Sequence, residues 1–397
     1  MLKISCPIPP SDKTDDLSIT IKRYTNIEEI PESHWKEVSK YASVFLDLPY
    51  LKALQKSGSN TLSFNFYLGY DNNKVIGIAF TQNIVVDRKL LEETTLPCEI
   101  GDGLKKIVSQ KLETRLLICG NIFATGSFGF QTIPNSWQQA FLNGLVKYLL
   151  DTENYQKDKK PSFILFKDFP NRENSGIKWE NFKLKPITID QVMIMQIPEA
   201  WKIFEDYQNA LRTKFRSRLK KTFEKSSEIK LVDFDTAAII KYQKEISTLY
   251  QNVLDKADYK LSSLSINSFI EFKRTLPESF MFTGYILEEH LVGFTTYFLN
   301  KNILETSHVG LDYRVNQAYQ VYQRMLYEYI KAAIVNHKAQ INFGRTAETI
   351  KSSVGAVPIP MQLYIRHING ISNTVLTPLT RLIKPNEFEL RSPFKQV

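Results

Sequence analysis

Residues 306–316 carry the residue types of an acid–base site. His308 and Asp312 stand four positions apart in this segment, and either could accept a proton from a nucleophile. The segment follows a strand-like apolar run and precedes a helical pattern that begins at Gln317. We therefore interpret His308 and Asp312 as candidate catalytic residues. The structural alternatives are a strand histidine with satisfied contacts and an aspartate that caps the loop.

The same strand-to-helix junction could bind an anion. A helix N-terminus leaves unpaired N–H groups that favour phosphate or pyrophosphate. Asn316 is a good N-cap for the helix, and Arg314 would add a charge-assisted contact to the anion. Arg314 and Tyr319 are therefore predicted substrate contacts.

A second candidate segment follows a strand pattern that ends at Gly344. Arg345 leaves that strand where ligand sites gather in open sheets with helices. Glu348 and Lys351 follow at i, i+3 spacing on a short helical pattern, where they could bind substrate or form an ordinary helix ion pair. We predict substrate contacts at Arg345, Glu348 and Lys351.

The positive charge of the chain is concentrated in one stretch. The net charge is +9, and residues 212–225 contain seven basic residues and one acidic residue, which gives +6. Leucine or phenylalanine at every fourth position indicates a helix with one apolar face. Its basic residues are typical either of a solvated surface or of a phosphate-binding helix, because arginine binds phosphate oxygens in pairs. The predicted anion contacts here are Arg212, Lys214 and Arg216.

Composition limits the class of protein. The chain has 397 residues, of which 43% are hydrophobic and 23% charged, as is typical of a soluble globular protein with two domains. The absence of an apolar run of about 18 residues argues against a transmembrane helix, and a polar N-terminus argues against a secretory signal. Three separated cysteines argue against a disulfide framework and a zinc site. We expect a cytoplasmic protein without a metal ion.

Two similar hairpins predict an internal duplication. An aromatic strand, an acidic turn and a Gly-bearing strand occur around Gly77 and recur around Gly293, although ordinary hairpins can share this pattern. A strand, a helix and another strand follow each hairpin, which favours a mixed sheet over a doubly wound one. We predict an α/β (α+β) fold with two tandem domains, 1–195 and 196–397. Each would be a mixed, largely antiparallel sheet flanked by helices.

The Gly-rich segment 120–129 does not have the spacing of a phosphate-binding loop. Gly120, Gly126 and Gly129 match neither the dinucleotide fingerprint nor the Walker motif. Glycines in this number favour a tight loop instead. The sequence also lacks the common metalloprotease and serine-hydrolase motifs.

Three parts of the chain resemble the FemAB-like branch of the GNAT acyltransferase superfamily. They are residues 44–55 with the Gly77 hairpin, residues 211–221, and residues 310–319 together with 343–358. The third part is the most specific, and the three parts span most of the chain in the expected order. The resemblance implies two tandem GNAT-like domains, of which the first is a degenerate copy that shapes the acceptor cleft.

The resemblance also implies a reaction. An acyl or aminoacyl group would pass from a thioester, or from aminoacyl-tRNA, to an amine. The donor would be acyl-CoA or acyl-carrier protein, no cofactor would be tightly bound, and the acceptor would be a lipid, an amino acid or a peptidoglycan precursor. Residues 314–319 lack the glycines of the usual GNAT pyrophosphate loop, which implies a donor bulkier than acetyl-CoA.

Three alternatives to thioester-dependent transfer remain open from the sequence. One is a FemX-type transferase that uses aminoacyl-tRNA. Another is a non-catalytic protein that binds RNA through the basic helix. The last is a peripheral membrane protein that docks at the inner face of the membrane, with the same helix or with residues 377–384 near the C-terminus.

Overall fold

The computed structural model describes residues 19–57, 62–87, 113–133, 137–156, 159–170, 176–256, 262–374 and 388–395. In these residues, thirteen strands form one mixed sheet. The strands are β1 (Thr20–Tyr24), β2 (Leu62–Asp71), β3 (Lys74–Asp87), β4 (Glu113–Cys119), β5 (Phe130–Thr132), β6 (Phe163–Pro170), β7 (Lys185–Gln196), β8 (Lys230–Asp233), β9 (Phe280–Leu287), β10 (His290–Asn300), β11 (Ile303–Leu311), β12 (Gln340–Asn342) and β13 (Val357–His367). The helices are α1 (Glu32–Ser39), α2 (Leu48–Lys56), α3 (Gln138–Leu150), α4 (Phe204–Ala210), α5 (Thr213–Lys225), α6 (Thr236–Lys241), α7 (Gln243–Asp255), α8 (Ile266–Thr275), α9 (Tyr313–Tyr319), α10 (Val321–Val335) and α11 (Glu348–Ser352).

The sheet consists of two halves with the same strand order. In the first half, β1 to β4 are antiparallel neighbours, β6 lies parallel to β4, and β13 lies antiparallel to β6. In the second half, β8 to β11 are antiparallel neighbours, β12 lies parallel to β11, and β7 lies antiparallel to β12. The predicted α/β fold with two tandem mixed sheets is confirmed.

The last strand of each half pairs with the other half. The strand β7 ends the first half in sequence but extends the sheet beside β12, and β13 ends the second half but extends the sheet beside β6. The two exchanged strands also pair with each other in the middle of the sheet. The predicted division between residues 195 and 196 falls inside β7. The division of the chain into two domains at this point stays a prediction. The sheet itself is not divided there, because β7 and β13 are exchanged between the halves.

The two hairpins occupy equivalent places in the halves, as β2–β3 and β9–β10. A Cβ atom on Gly77 would lie 2.5 Å from the ring of Phe141 in α3. A Cβ atom on Gly293 would lie 2.6 Å from the terminal methyl group of Met325 in α10. Both helices come after the hairpin of their half in sequence, and each approaches the sheet closely at this glycine. The ring of Phe141 leaves no room for a Cβ atom and the flexible end of Met325 would have to move, so both positions favour a small residue. This shared requirement supports the duplication predicted from the hairpins.

The predicted long helix from Gln317 is in fact two helices. Helix α9 begins earlier, with Asp312 as its N-cap. It ends at Gln320, whose φ of 52° lies in the left-handed region, and α10 begins at the next residue. Asn316 does act as a cap, but for α10, because its side chain accepts a 2.9 Å hydrogen bond from the N–H of Tyr322. The prediction of a single helix capped by Asn316 is therefore wrong.

The apolar core crosses from one half to the other. Tyr50 of α2 stacks on Phe272 of α8 with ring centroids 4.9 Å apart. Phe45 lies 5.1 Å from Phe298 of β10, also measured between ring centroids. Each fully buried aromatic ring contributes roughly 1.5–3 kcal/mol, so side-chain packing joins the halves as well as strand pairing.

One further observation concerns the helices. Within the described ranges, no helix combines the length and the apolar character that crossing a bilayer requires.

Candidate functional site

A cavity lies where β11 and β12 separate. Their parallel pairing covers three residue pairs and ends at Glu305 and Asn342. Beyond this point β11 continues to Leu311, whereas the chain after β12 turns at Gly344, whose φ is 69°. The space between them is a cavity of about 260 Å³. In the described part of the chain, residues 306–311 have no strand neighbour on the edge that faces this cavity.

A β-bulge shapes the wall that β11 contributes. The register against β10 shifts between Thr295 and Tyr297, so Ser307 and His308 together face one position of β10. The hydroxyl of Thr296 accepts a hydrogen bond from the N–H of His308 and donates one to the carbonyl of His308, both at 2.8 Å. A side chain therefore holds the bulge and keeps His308 in the wall of the cavity.

The ring of His308 is enclosed by aromatic side chains. Its centroid lies 5.5 Å from that of Tyr250 and 5.7 Å from that of Phe269. Its Nδ1 atom lies 2.8 Å from the hydroxyl oxygen of Ser307. Burial lowers the pKa of His308 to about 4, so the ring is neutral at neutral pH. A neutral imidazole oriented by Ser307 in a cavity wall can accept a proton from a ligand.

Arg345 and Lys351 line the same cavity as His308. The guanidinium group of Arg345 donates to Asp168, and its Nε atom is buried without a hydrogen-bond partner among the described residues. Lys351 is 5% exposed, and its Nζ atom donates to the carbonyl of Arg345. Burial lowers the pKa of Lys351 to about 7, against the opposing effect of Glu348, the first residue of α11. Three of the predicted site residues are thus brought together.

The remaining predicted residues of the junction lie outside the lining of the cavity. Asp312 caps α9, and its carboxylate pairs with Arg314 at 2.6 Å. The hydrogen bond from Arg314 is the main cause that holds the pKa of Asp312 below its ordinary value. The side chain of Arg314 is 89% exposed, and the hydroxyl of Tyr319 lies 3.4 Å from Glu228. The proposed roles of these residues in catalysis and binding remain predictions.

The basic helix α5 is also separate from the cavity. Its apolar face is buried through Phe215 and Leu219, in the cluster that contains the buried face of α10. Arg212, Lys214 and Arg216 are exposed and are not part of the lining of the cavity. Their contact with an anion stays a prediction, and it concerns an outer surface of the molecule. The other predicted membrane-docking segment, residues 377–384, lies outside the described residues.

Sequence reasoning missed Asp168, which connects the two halves at the cavity. This residue is fully buried, has a φ of 63° and forms ion pairs with Lys167 and Arg345. It also accepts a 3.1 Å hydrogen bond from the N–H of Gly126. Burial alone would raise the pKa of Asp168, but the charges of Lys167 and Arg345 outweigh it and lower that pKa. The only sequence signal is a Lys-Asp pair at the end of an apolar strand.

Hydrogen bonds hold the loop 120–129 against the cavity. Lys167 donates a 2.8 Å hydrogen bond to the carbonyl of Ala124, and Asn342 donates a 2.9 Å bond to that of Thr125. Ala124 and Thr125 are part of the lining. Gly120 and Gly126 have φ values of 146° and 147°, which side chains rarely allow. The prediction of a tight loop is confirmed, and the loop belongs to the cavity of the other half.

This loop stands where the second half has its bulge. In the first half, β4 and β5 both pair with β3, and residues 120–129 separate them. In the second half, the corresponding positions opposite β10 are separated only by residues 307–308. The first half therefore has a ten-residue loop where the second half has a two-residue bulge, and this loop lines the cavity of the second half.

Glu305 is a second acidic residue that sequence reasoning missed. It lies in the last pair between β11 and β12, directly before the cavity, and is 4% exposed. The side chain of Asn300 donates a 3.2 Å hydrogen bond to its carboxyl group. Burial raises the pKa of Glu305 to about 7. A carboxyl group with this pKa can gain or lose a proton near neutral pH.

Comparison with solved structures identifies the fold. No protein-family model matches the sequence, and no curated protein sequence matches it. The crystal structure of FemX resembles the chain with a TM-score of 0.54 at 10% sequence identity, over 89% of this chain and 99% of that one. The chain has the FemX fold. This fold confirms the architecture that the resemblance to FemAB-like proteins implies.

A second structure has a similar extent but a weaker match. It is a tandem GNAT protein from the clavulanic acid biosynthesis pathway, solved without AcCoA, and it covers 89% of this chain and 99% of its own at 7% identity. Its TM-score is 0.47. The likeness to FemX at 10% identity concerns the fold alone.

Proposed function

We propose that the chain is an N-acyltransferase that joins an activated acyl or aminoacyl group to an amine in the cavity between β11 and β12. The observation that carries this proposal is the unpaired edge of β11 beside His308, enclosed in a cavity of about 260 Å³. Such an edge offers backbone N–H groups to a carbonyl oxygen, and the histidine offers a neutral base. The FemX fold is consistent with this reading.

The reaction needs charge stabilisation and one proton acceptor. The amine attacks the donor carbonyl, a C–N bond forms, and the C–S or C–O bond to the carrier breaks. Negative charge develops on the carbonyl oxygen, where N–H groups on the unpaired edge of β11, other than that of His308, would stabilise it. His308 accepts the proton that the amine loses and returns it to the leaving thiolate or alkoxide, which leaves as a thiol or an alcohol. Enclosure of both reacting groups in the cavity accelerates the reaction because it aligns the amine with the carbonyl group.

The size of the cavity separates the reacting group from its carrier. A volume of about 260 Å³ lies below the usual range of sites that hold a whole drug-sized ligand. Only the reacting ends of the two substrates would enter, and the carrier would lie on the outer surface. Acyl-CoA and acyl-carrier protein are the donors proposed first, with an amino acid, a lipid amine or a peptidoglycan precursor as acceptor.

Aminoacyl-tRNA is the second candidate donor, and the exposed basic helix favours it. Residues 212–225 hold seven cations against one acid, and their side chains lie on the outside of the molecule. An exposed row of this kind suits an extended polyanion better than a single phosphate group, and such binding weakens steeply with salt. RNA binding or anionic membrane binding without product is the outcome expected if the protein is not an enzyme.

A transfer assay with matched charge variants tests the proposal. The chain is incubated with acyl-CoA, acyl-carrier protein or aminoacyl-tRNA and a panel of amines, and amide products are detected by mass spectrometry. The double variant Lys214→Gln/Lys221→Gln should weaken transfer from aminoacyl-tRNA alone. The control Lys241→Gln/Lys244→Gln removes two exposed charges from α6 and α7. It should change neither transfer from the thioesters nor transfer from aminoacyl-tRNA. No amide from any donor would contradict the proposal.

A further inference from the structure

The cavity has one basic end. Arg345 and Lys351 line it, and none of the described residues that line it is acidic. Asp168 is fully buried behind Arg345 and is shared between Arg345 and Lys167. The formal charges of Lys167, Asp168, Arg345, Lys351 and Glu348, whose carboxylate interacts with Lys351, sum to +1. This end of the cavity is therefore suited to a ligand group with a single negative charge.

Hydrogen-bond donors remain unused at this end. Asp168 accepts from one terminal nitrogen of Arg345, while the buried Nε atom of Arg345 has no partner in the described residues. Lys351 uses one of its three donors on the carbonyl of Arg345. The ion pair with Asp168 holds the guanidinium group in place before any ligand arrives. A fixed guanidinium group and an ammonium group match the geometry of a carboxylate.

The rest of the lining is mainly aromatic and aliphatic. Tyr250 and Leu254 come from α7, Leu326 and Tyr329 from α10, and Phe343 from the segment after β12. Burial of an apolar side chain among such residues removes apolar surface from water and so stabilises a complex. The cavity therefore combines a place for a monoanion with a place for an apolar group of moderate size.

We propose that the amine acceptor is an apolar α-amino acid whose carboxylate binds Arg345 and Lys351 and whose side chain lies beside Tyr250 and Leu326. This inference rests on the proposed function and names its substrate class. A phosphate dianion fits less well, because its second charge would stay unbalanced in a largely buried site. The amine of the ligand shares the cavity with His308, the proposed base.

Direct binding measurements test this assignment without any donor. The full chain is titrated by calorimetry with leucine, phenylalanine and methionine, with the amide of each, and with phosphoethanolamine. At least one amino acid should bind, and its amide, which keeps the amine and side chain, should bind about tenfold more weakly or worse. Equal binding of acid and amide, no binding of any amino acid, or tighter binding of phosphoethanolamine would each overturn the inference.

Variants locate the carboxylate. Arg345→Gln should reduce the affinity for the amino acid to that of its amide and leave the affinity for the amide unchanged. The control is Arg274→Gln, which removes an exposed arginine paired with Glu271 and should change neither. If Arg345→Gln does not fold, the acid and amide series on the native chain decides alone.

Transfer assays distinguish a failure of this inference from a failure of the proposed function. Amino acids that bind but yield no amide with any donor would contradict the proposed function and leave the ligand class standing. Equal kcat/KM for amines with and without a carboxylate would overturn the ligand class and leave the transferase standing.

Discussion

Burial shifts the pKa values of two residues of β11, His308 and Glu305, in opposite directions. Burial lowers the pKa of His308 to about 4 and raises that of Glu305 to about 7. Each shift favours the uncharged form of its group. Between these two values, the wall of the cavity presents a neutral imidazole and is preceded by a neutral carboxyl group. A neutral histidine is the form that the proposed proton transfer requires.

The substitution Glu305→Gln should change how stability depends on pH. The pKa of Glu305 rises from an ordinary value of 4.5 to about 7, so the folded state binds more protons in this window. Stability of the native chain therefore falls through this group as the pH rises from about 4.5 to 7. The variant lacks this loss, so its unfolding free energy relative to the native chain should rise by up to about 3 kcal/mol across the window.

Denaturant unfolding at several pH values measures this difference. His308→Gln serves as the opposite control, because the lowered pKa of His308 makes the unfolded state bind more protons between about 4 and 6.5. The native chain therefore gains stability through His308 as the pH rises across this range, and the His308→Gln variant should lack that gain. A Glu305→Gln variant with the pH dependence of the native chain would show that Glu305 ionises normally in the folded state.

Sequence patterns identified site residues only where the neighbouring residues in the chain indicated the end of a strand. His308 stands at the end of a strand pattern, and Arg345 and Lys351 follow a strand that ends at a glycine. Asp168 escaped notice because its partner Arg345 lies 177 residues away in the chain. Glu305 escaped because only the fold shows that it is buried. Long-range pairing and burial depend on tertiary structure, so a local pattern cannot report them.

At the scale of elements, the site depends on how two segments from different halves are joined. The loop 120–129 and the segment after β12 share Asp168, which binds Gly126 on one side and Arg345 on the other. Asp168 has a left-handed backbone conformation with a φ of 63°, which costs about 1–2 kcal/mol for a residue with a side chain. The ion pairs must offset this cost, so they should be sensitive to neutralisation.

Asp168→Asn should destabilise the protein strongly. The change keeps the shape of the side chain but leaves Lys167 and Arg345 without a counter-charge in a largely buried place. Loss of one partner from a buried ion pair typically costs about 3–5 kcal/mol. The matched control is Asp312→Asn, where the cation is Arg314, 89% exposed, and where asparagine can still cap α9. Thermal unfolding should show a large loss for the first variant and little for the second. Equal losses would contradict a special role for Asp168.

The elements themselves were predictable to different degrees. The hairpin turn between β2 and β3 contains Asn72, whose φ is 52°, and asparagine is among the residue types that favour such a turn. The break between α9 and α10 was not predictable, because Gln320 adopts a left-handed conformation without any such signal. Contacts of α10 with the rest of the fold override the helical pattern there.

At the scale of the whole molecule, strand exchange ties the halves together. Each half completes its sheet with a strand from the other, and β7 and β13 pair in the centre. The duplicated hairpins made tandem halves predictable from the sequence. The exchange was not predictable, because pairing between strands that are distant in the chain leaves no local pattern.

The exchange predicts cooperative unfolding. Separation of the halves would leave both sheets with an unpaired edge and would expose rings such as Phe45 and Phe298 that pack across the halves. Differential scanning calorimetry should therefore show one transition, with equal calorimetric and van't Hoff enthalpies. Two resolved transitions would show that the halves fold independently.

The proposed function requires that acyl transfer takes place in the cavity between β11 and β12. The most direct test is the rate of amide formation in a variant whose cavity is filled. Ala124→Trp adds an indole ring from the loop of the first half, whereas Ala237→Trp adds the same ring to an exposed position of α6. Mass spectrometry should show a loss of at least about 100-fold for Ala124→Trp, with native thermal stability, and no loss for Ala237→Trp. An unchanged rate in a folded Ala124→Trp protein would contradict the claim.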